Sequence, residues 1–446
     1  MTDDVDADKT APSVTEAVRA ATADISQPVR DVGLIVGVLF GVYALFAVFV
    51  FNQGLNSVVS TLRVVTFFIA VYAMLALALN LQWGYTGLFN IGVAGFMAVG
   101  VYTMGILAGD PAGSPPGLGL PLPFAIVAGM AAAAFVGLLT ALPALRLRAD
   151  YLAIVTLGIS EIIRLTLNSG ALNSWLIETV GIGTGAGSGM GLPSFSARGL
   201  FYVDGSTANQ TALAEVVFAV TGPLGIRESV VIAWAYVFVL IVFVVGFYVL
   251  LARIGNSPFG RVLKSIREDE LVASSLGKHT QLFKIKVFML GCALMGLAGI
   301  LWQGSQGFVS PNSFMPIVTF YVFVALIIGG SGSNTGSVVG AIVFVGLLFE
   351  GPRRAGGALS DALAFTANPN TSWEALTLVV SGEPLALFAY ATDNISALQF
   401  VLLGVVLIVL MQKRPEGLLG HRNETAAAVP LTEQTRSIRG GESDEQ

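Results

Sequence analysis

The sequence carries very little charge. Only 11% of its 446 residues are charged, whereas 54% are hydrophobic; a soluble domain usually has about 25% charged residues. No charged residue lies between Arg63 and Asp110, a run of 46 residues, or between Asp110 and Arg146. Because a membrane-spanning helix needs about 20 apolar residues, the first run must hold more than one crossing. The composition excludes an ordinary soluble enzyme and predicts an all-α, polytopic integral membrane helix bundle.

Residues that bind metals or form disulfides are also scarce. The chain has one cysteine, Cys292, and two histidines, His279 and His421, so an internal disulfide and a thiolate metal cluster are excluded. Neither histidine has the neighbouring ligands that a zinc or iron site requires, and we expect no metal and no cofactor. A phosphate loop of the form GxxxxGK[ST] is missing. Since no catalytic set and no basic stripe with aromatics is visible, we expect neither an enzyme nor a nucleic-acid partner.

Ten apolar segments of helical length predict about ten transmembrane segments. They lie at 33–51, 64–81, 91–109, 123–143, 151–168, 230–252, 287–303, 317–330, 337–349 and 396–411. With the N-terminus inside, this topology places 17 of the 23 basic residues on the inner side, as membrane proteins prefer. We therefore predict a multi-pass protein of the cell membrane with both termini cytoplasmic. The two short segments between 317 and 349 could instead form one bent helix or a re-entrant pair.

The charges and polar stretches also divide the chain. Residues 1–31 and 413–446 are polar and rich in acidic side chains, which predicts disordered cytoplasmic tails. The membrane domain between them covers 32–412. Two long segments fall on its predicted external side, 169–229 and 351–395, and segments of this length are typically functional or mobile.

The predicted cytoplasmic segment 253–286 holds 7 of the 23 basic residues. Its apolar residues recur three or four apart, at Phe259, Val262, Leu263 and Ile266. This spacing predicts a short amphipathic helix, with Gly277 ending the helical pattern. A basic anchor at lipid headgroups is one interpretation. The mixed charges of the polar face fit a protein partner better.

The segment GYTGLFNIG at 84–92 interrupts the longest uncharged run. Irregular backbone at membrane depth can line a cavity and meet a ligand there. The alternative is a tight inner turn between two helices. The candidate pathway residues of this segment are Gly84, Tyr85, Thr86, Gly87, Asn90 and Gly92.

Glu161 and Arg164 are the only charges inside a predicted span. Ionisable residues at membrane depth are candidates for function, and a zwitterionic amino acid would offer complementary groups to both. Being three apart on one helix face, the two side chains could equally pair with each other. The sequence leaves both interpretations open.

Several blocks of the sequence follow one another in a characteristic order. They are NLQWGYTGLFNIGVAGFMAVGVYT at 80–103, LRLRADYLAIVTLGISEIIRLTLN at 145–168, SPFGRVLKSIREDELVASSLG at 257–277, IKVFMLGCALMGLAGILW at 285–302, IIGGSGSNTGSVVGA at 327–341 and RPEGLL at 414–419. Together they resemble the branched-chain amino-acid permease subunits of ABC importers, over about residues 64 to 420. The resemblance implies that 32–412 is a transmembrane permease domain.

In that family the loop before the last group of helices docks on a cytoplasmic ATPase subunit. The resemblance therefore implies ATPase coupling at Gly260, Arg261, Arg267, Glu268, Asp269, Glu270 and Gly277. It also implies three kinds of protein partner: cytoplasmic ATP-binding subunits that hydrolyse ATP, a second related permease, and an external substrate-binding protein. The lipid bilayer surrounds the assembly.

The function implied by the resemblance is import of branched-chain or related small amino acids by ATP-driven alternating access. Leu88, Asn90 and Val93 stand where family members often carry Gln, Ser and His, so urea or a short amide remains an alternative substrate. A secondary transporter coupled to an ion gradient is a further alternative, although it would usually place more ionisable residues at the midplane.

Overall fold

The protein is a bundle of helices. A computed structural model describes residues 27–50, 54–144, 149–193, 195, 197–203, 209–353, 369–383 and 385–419. Within these ranges, seven helical segments are long and apolar enough to cross a membrane, and shorter apolar helices accompany them. The predicted all-α polytopic bundle is confirmed, and each of the ten predicted apolar segments overlaps a helix.

The helices of the described ranges follow one another along the chain. They are α1 (Gln27–Val50), α2 (Leu55–Leu79), α3 (Val93–Ala108), α4 (Leu122–Ala144), α5 (Ala149–Asn168), α6 (Gly170–Val180), α7 (Arg198–Phe201), α8 (Ala212–Thr221), α9 (Glu228–Asn256), α10 (Pro258–Glu268), α11 (Glu270–Ser275), α12 (Thr280–Gln306), α13 (Pro316–Gly329), α14 (Asn334–Val343), α15 (Ser372–Val380), α16 (Leu385–Asp393) and α17 (Ile395–Lys413). Wider π-helical turns extend α2 through Asn80–Gly84 and α14 through Phe344–Phe349. Two short strands, β1 (Met190–Gly191) and β2 (Phe308–Val309), pair antiparallel.

Helix α2 lies at the centre of the bundle. Nearly every side chain from Val65 to Leu79 is buried, and the helix packs against α9, α12, α13 and α14. Tyr72 illustrates this packing: its ring meets that of Phe344 edge to face, with 5.2 Å between centroids. Since lipid offers little hydrophobic drive for helix association, such close packing stabilises the bundle.

Small residues bring α3 and α12 into direct backbone contact. A Cβ atom at Gly100 would lie 2.7 Å from the Cα atom of Gly296, which is closer than real Cβ contacts allow. Glycine at this crossing therefore lets the two helices approach, as small residues do in membrane bundles.

Helices α13 and α14 form an antiparallel pair around a turn at 330–333. A Cβ atom at Gly340 would lie 2.1 Å from the carbonyl oxygen of Ala325 and 2.7 Å from the Cα atom of Gly329. Adjoining turns lengthen the two helical segments to Pro311–Gly329 and Asn334–Arg353, of 19 and 20 residues. The structure thus shows two helices of spanning length at this point, and not one bent helix.

The ends of the chain are described only in part. Helix α1 already begins at Gln27, while the parts of the predicted tails at 1–26 and 420–446 lie outside the described residues. The block at 414–419 packs against the α13–α14 turn: the amide of Leu418 donates to the carbonyl of Ile328 at 2.8 Å, and that of Leu419 to Gly329 at 2.9 Å. This end of α17 is therefore held against α13.

The two long predicted external segments contain helices. The first, 169–229, carries α6, α7, α8 and strand β1, and β1 ties it to the end of α12 through its pairing with β2. The second, 351–395, carries α15 and α16, and residues 354–368 within it lie outside the described ranges.

Candidate functional site

Two polar cavities lie at opposite ends of α2 and α9. The inner-end cavity, at the predicted cytoplasmic end, measures about 460 Å³; its polar lining includes Asp31, Tyr85, Tyr248, Lys264, Arg267, Glu268 and Asn334. The outer-end cavity measures about 570 Å³; its lining includes Arg63, Phe67, Phe68, Arg198, Tyr202, Glu228 and Tyr236. Between them lies the buried length of α2, so the two cavities face different ends of the bundle.

Arg267 joins the predicted coupling segment to the predicted pathway segment. Its Nη1 atom donates to the carbonyl oxygen of Gly84 at 2.6 Å, and its Nη2 atom pairs with Glu268 Oε1 at 2.8 Å. The last carbonyls of a helix lack intrahelical partners, and the guanidinium satisfies one at the end of the π-helical turn. Gly87 also lies beside the Arg267 side chain, since a Cβ atom at this position would be 3.4 Å from Arg267 Cγ. The two predicted groups of residues therefore meet.

Two asparagines hold the inner end of α2 to the start of α14. Asn80 donates from Nδ2 to Asn334 Oδ1 at 3.0 Å and accepts from the amide of Gly332 at 2.7 Å. Tyr85 donates its hydroxyl to the same Asn334 oxygen at 2.9 Å. Asn80 has no exposed surface, and these bonds satisfy the polar groups that burial would otherwise penalise. We call Asn80, Tyr85, Gly332 and Asn334 the amide hub.

Gly84 is required by the amide hub. A Cβ atom at this position would lie 1.9 Å from Asn80 Oδ1 and 2.5 Å from the backbone nitrogen of Gly332. A side chain at this position would push Asn80 away from its partners. The sequence predicted Gly84 and Tyr85 on a pathway; in the structure Tyr85 lines the inner-end cavity, whereas Gly84 lies outside its lining.

The amphipathic pattern of the coupling segment is confirmed. Ser257 caps α10, accepting from the amide of Gly260, and Leu263 and Ile266 are buried. The prediction of one helix is wrong, because α10 ends at Glu268 and Asp269 separates it from α11. This residue is extended, and its carboxylate accepts from the amides of Leu271 and Val272, which starts α11. An aspartate at a helix N-cap satisfies amides that lack intrahelical partners.

The other predicted coupling residues differ in their surroundings. Gly260 packs against the end of α9, since a Cβ atom there would lie 2.6 Å from the carbonyl oxygen of Gly255. Glu270 pairs with Lys284 and so ties α11 to α12. Arg261 is exposed, and Gly277 follows α11 with a left-handed φ of 78°. Their roles in coupling stay predictions.

Three exposed apolar side chains on and directly after α11 were not predicted as functional. Leu271, Val272 and Leu276 are 80%, 55% and 73% exposed. They lie among charged residues at the tip of α11. The signal was visible in the sequence, because these large apolar residues fall off the stripe formed by Leu263 and Ile266. We call Leu271, Val272 and Leu276 the apolar tip.

The remaining residues of 84–92 bond within the bundle. Asn90 is fully buried; it donates to Gln82 Oε1 at 2.8 Å and accepts from the amide of Gly92 at 2.8 Å. Gln82 in turn donates to the carbonyl of Phe288 at 2.9 Å, and Thr86 donates to Leu81. Asn90, Gly92 and Thr86 lie outside the linings of both cavities, as expected for a buried turn.

Glu161 and Arg164 form the mutual pair that the sequence allowed. Arg164 donates from Nε to Glu161 Oε2 at 2.9 Å and from Nη2 to Oε1, while Nη1 lies 3.4 Å from Asn312 Oδ1. Both residues lie outside the linings of the two cavities. The pairing is thus confirmed, and contact with substrate stays a prediction.

The outer-end cavity contains charges that the sequence placed in loops. Helix α2 begins at Leu55, ahead of the predicted start at 64, so Arg63 lies inside a helix of spanning length. The expectation that Glu161 and Arg164 are the only charges within such helices is therefore wrong. Glu228 begins α9. Hydropathy alone begins the predicted apolar segments at 64 and 230, after these charged residues, which explains why both were missed.

A chain of contacts organises one wall of this cavity. The Arg198 guanidinium lies 5.5 Å from the centre of the Tyr202 ring, within the range of a cation–π interaction. The Tyr202 hydroxyl donates to the Glu228 carboxylate, and this bond raises the pKa of Tyr202. In the part of the chain that the structure describes, groups of three or more His, Cys, Asp or Glu side chains that could hold a metal ion are not found.

Comparison with known proteins places these features in a family. A family model described as the permease component of branched-chain amino acid transport systems matches residues 60–349. The high-affinity branched-chain amino acid transport system permease protein LivM of Escherichia coli is 35% identical over 278 residues, 62% of this chain and 60% of that protein. A probable LivM permease of Methanocaldococcus jannaschii is 25% identical over 320 residues, 64% of this chain and 80% of that protein.

A second type of permease also matches. The LivH permease protein of Escherichia coli is 31% identical over 107 residues, 23% of this chain and 34% of that protein. No solved structure matches. The chain spans about 60% of the length of the LivM protein of Escherichia coli. The family model covers more than half of the chain; helices α10 and α11 lie within it, and both cavities fall largely within it. This multi-pass membrane protein belongs to the family of permease components of branched-chain amino acid transport systems, whose members are transport subunits and not ATPases.

Proposed function

We propose that this protein is the transmembrane subunit of an ABC importer for branched-chain or related small amino acids. Family membership supports the class of transported compound. The contact of Arg267 with the Gly84 carbonyl carries the mechanistic part of the proposal, because it links a surface helix pair to the central helix α2. ATP hydrolysis takes place on a partner, since the sequence lacks the phosphate loop that would bind ATP.

Helices α10 and α11 form the docking surface for the ATP-binding subunit. The apolar tip supplies exposed apolar side chains, and Arg261, Glu268 and Asp269 supply charges around it. Apolar residues surrounded by a charged rim are typical of protein interfaces. A headgroup anchor would favour basic residues alone, and the acidic side chains beside the tip speak against it.

Movement of this docking surface reaches the bundle through two polar contacts, which add to the packing of the buried residues Leu263 and Ile266. Arg267 holds the π-helical turn of α2, and Glu270 holds the first turn of α12 through Lys284. Closure of the ATP-binding subunits displaces α10 and α11, and these contacts pass the displacement to α2 and α12. A packed element with two arrangements can convert such a displacement into alternating access.

The complete importer contains further subunits. A second, related permease completes the pore, which is supported by the similarity of this chain to relatives named LivM and to relatives named LivH. An external binding protein delivers the substrate to the outer end. Both termini lie in the cytoplasm, in agreement with the distribution of basic residues.

Uptake by the reconstituted complex tests the proposal. The full chain, assembled with the second permease, the ATP-binding subunits and the binding protein in proteoliposomes, is expected to accumulate L-leucine only when ATP is hydrolysed. A non-hydrolysable ATP analogue and an ionophore that collapses ion gradients serve as controls. Uptake of urea but not of leucine would contradict the substrate, and uptake driven by an ion gradient without ATP would contradict the mechanism.

A further inference from the structure

The outer-end cavity combines three properties in one space. Cationic groups enter from α2 and α7 through Arg63 and Arg198, and an anionic group enters from the first turn of α9 through Glu228. Aromatic rings of Phe67, Phe68 and Tyr236 form the apolar part of the lining. These groups come from α2, α7 and α9, three segments of the chain that the fold brings together.

The volume and chemistry of this cavity suit a small amphipathic molecule. At about 570 Å³, the cavity lies within the range of roughly 300–1,000 Å³ that is usual for small-molecule sites. Such sites are mostly apolar and carry a few placed polar groups. In this cavity the polar groups have opposite charges, which a purely cationic or purely anionic ligand would match only in part.

We infer that the outer-end cavity binds a zwitterionic α-amino acid, with its carboxylate toward Arg63 and Arg198 and its ammonium group toward Glu228. The aliphatic side chain packs on Phe67 and Phe68. This inference rests on the proposed function, and it adds a loading site at the outer end of this single subunit. The Tyr202 hydroxyl donates to the Glu228 carboxylate, and both residues line the cavity.

The central helix makes the site suitable for loading. Phe67 is buried and lines the cavity, and the buried length of α2 continues from there toward Tyr85 in the inner-end cavity. A ligand held beside Arg63 therefore contacts the same helix that Arg267 contacts at its other end. Ligand binding at the outer end and displacement of α10 and α11 at the inner end therefore both act on α2.

Direct binding of L-leucine to the full chain tests this site. The full chain alone, in lipid nanodiscs without the other subunits, is expected to bind radiolabelled L-leucine saturably. 4-Methylpentanoate lacks the ammonium group and isopentylamine lacks the carboxylate, so each should compete about tenfold less well, the effect of losing one charged hydrogen bond. Equal competition by either analogue, or no saturable binding of leucine, would overturn the inference.

Matched variants locate the binding. Glu228→Gln and Arg63→Gln are expected to weaken leucine binding about tenfold each. Glu215→Gln on α8 and Arg227→Gln before α9 remove like charges outside the lining and should leave binding unchanged. Glu228→Asp keeps the charge and retains binding, which guards against loss of folding as the cause. Binding by both charge variants at the level of the unchanged protein would refute the site.

A second readout separates this site from the proposed function. In the assembled complex, Glu228→Gln should reduce ATP-driven leucine uptake at low leucine concentration. If this variant impairs uptake only through the external binding protein and leaves direct binding intact, the cavity contacts that protein and the inference fails. If the unchanged complex does not carry leucine at all, the proposed function fails, whatever the variants show.

Discussion

The two ends of α2 differ in how their polar groups are used. At the inner end, Asn80, Tyr85 and Asn334 satisfy one another, and Arg267 closes on a backbone carbonyl. At the outer end, charges of opposite sign share the lining of a cavity with Phe67 and Phe68, whereas the inner-end cavity has charges of both signs but no phenylalanine in its lining. Satisfied and closely packed groups make the inner end stiff, which suits the transmission of movement. Opposed charges beside phenylalanine rings suit the binding of an amphipathic ligand.

The largest effect is expected from adding a side chain at Gly84, in the closely packed inner end of α2. Gly84→Val places a side chain where Asn80 and the Gly332 backbone now lie, and we expect a loss of about 3 kcal/mol in stability, since overpacking of a tight core is costly. The melting temperature of the protein in detergent measures this loss. Gly158→Ala is the control, because the position has open space around it. An unchanged melting temperature for Gly84→Val would show that the inner end is not stiff.

A milder change removes the shared acceptor of the amide hub. Asn334→Ala leaves Asn80 and Tyr85 without their common partner, and we expect about 2 kcal/mol of destabilisation because buried polar groups lose their bonds. Asn312→Ala, which removes one long contact of 3.4 Å with Arg164, should cost much less. Thermal unfolding of the two variants side by side decides the point, and equal losses would argue against a special role for the hub.

A variant in the apolar tip tests whether this surface, beside the inner end of α2, binds the ATP-binding subunit. Leu271→Asp puts a charge on the most exposed apolar residue of α11, and we expect about tenfold weaker association with the ATP-binding subunit, since such anchors dominate interface energies. Co-purification and titration of the two proteins measure this. Ser274→Asp adds the same charge on α11 and should weaken association less. If both variants associate equally well, the docking surface lies elsewhere.

The smallest effect is expected at the Glu161–Arg164 pair. Glu161→Gln removes a partly exposed ion pair that lies outside both cavities, so we expect a loss of about 1 kcal/mol or less in stability and no change in leucine affinity. Glu178→Gln on the exposed face of α6 is the control. A clear loss of leucine affinity would assign this pair to the pathway and would weaken the contrast between the two ends.

Much of this architecture could be predicted from the sequence. Long charge-free runs predicted the helices, because lipid excludes charge, and the spacing of Leu263 and Ile266 predicted the buried face of α10. The contact of Arg267 with Gly84 could not be predicted, since 183 positions separate the two residues and no local pattern encodes their distance. The outer-end cavity was missed because hydropathy begins an apolar segment only after a charged residue, and so assigned both Arg63 and Glu228 to loops.

The break at Asp269 shows a different kind of limit. The residues around it fit a continuous helix by pattern, and an aspartate within a helix is only mildly unfavourable. Its ability to cap the next helix competes with continuation, and the pair of Glu270 with Lys284, which ties α11 to α12, favours the break. The spacing of apolar residues along the sequence does not predict such tertiary contacts.

Coupled turnover of Arg267→Ala is the sharpest test of transmission from the docking helices to α2. In the reconstituted importer, the number of leucine molecules taken up per ATP hydrolysed is expected to fall about tenfold, because the proposed docking helices lose their polar contact with α2 while the ATP-binding subunits continue to hydrolyse. Lys413→Ala, which removes a positive charge near the same predicted face, should keep the normal ratio. A folded Arg267→Ala complex with an unchanged ratio of uptake to hydrolysis would contradict transmission through this contact.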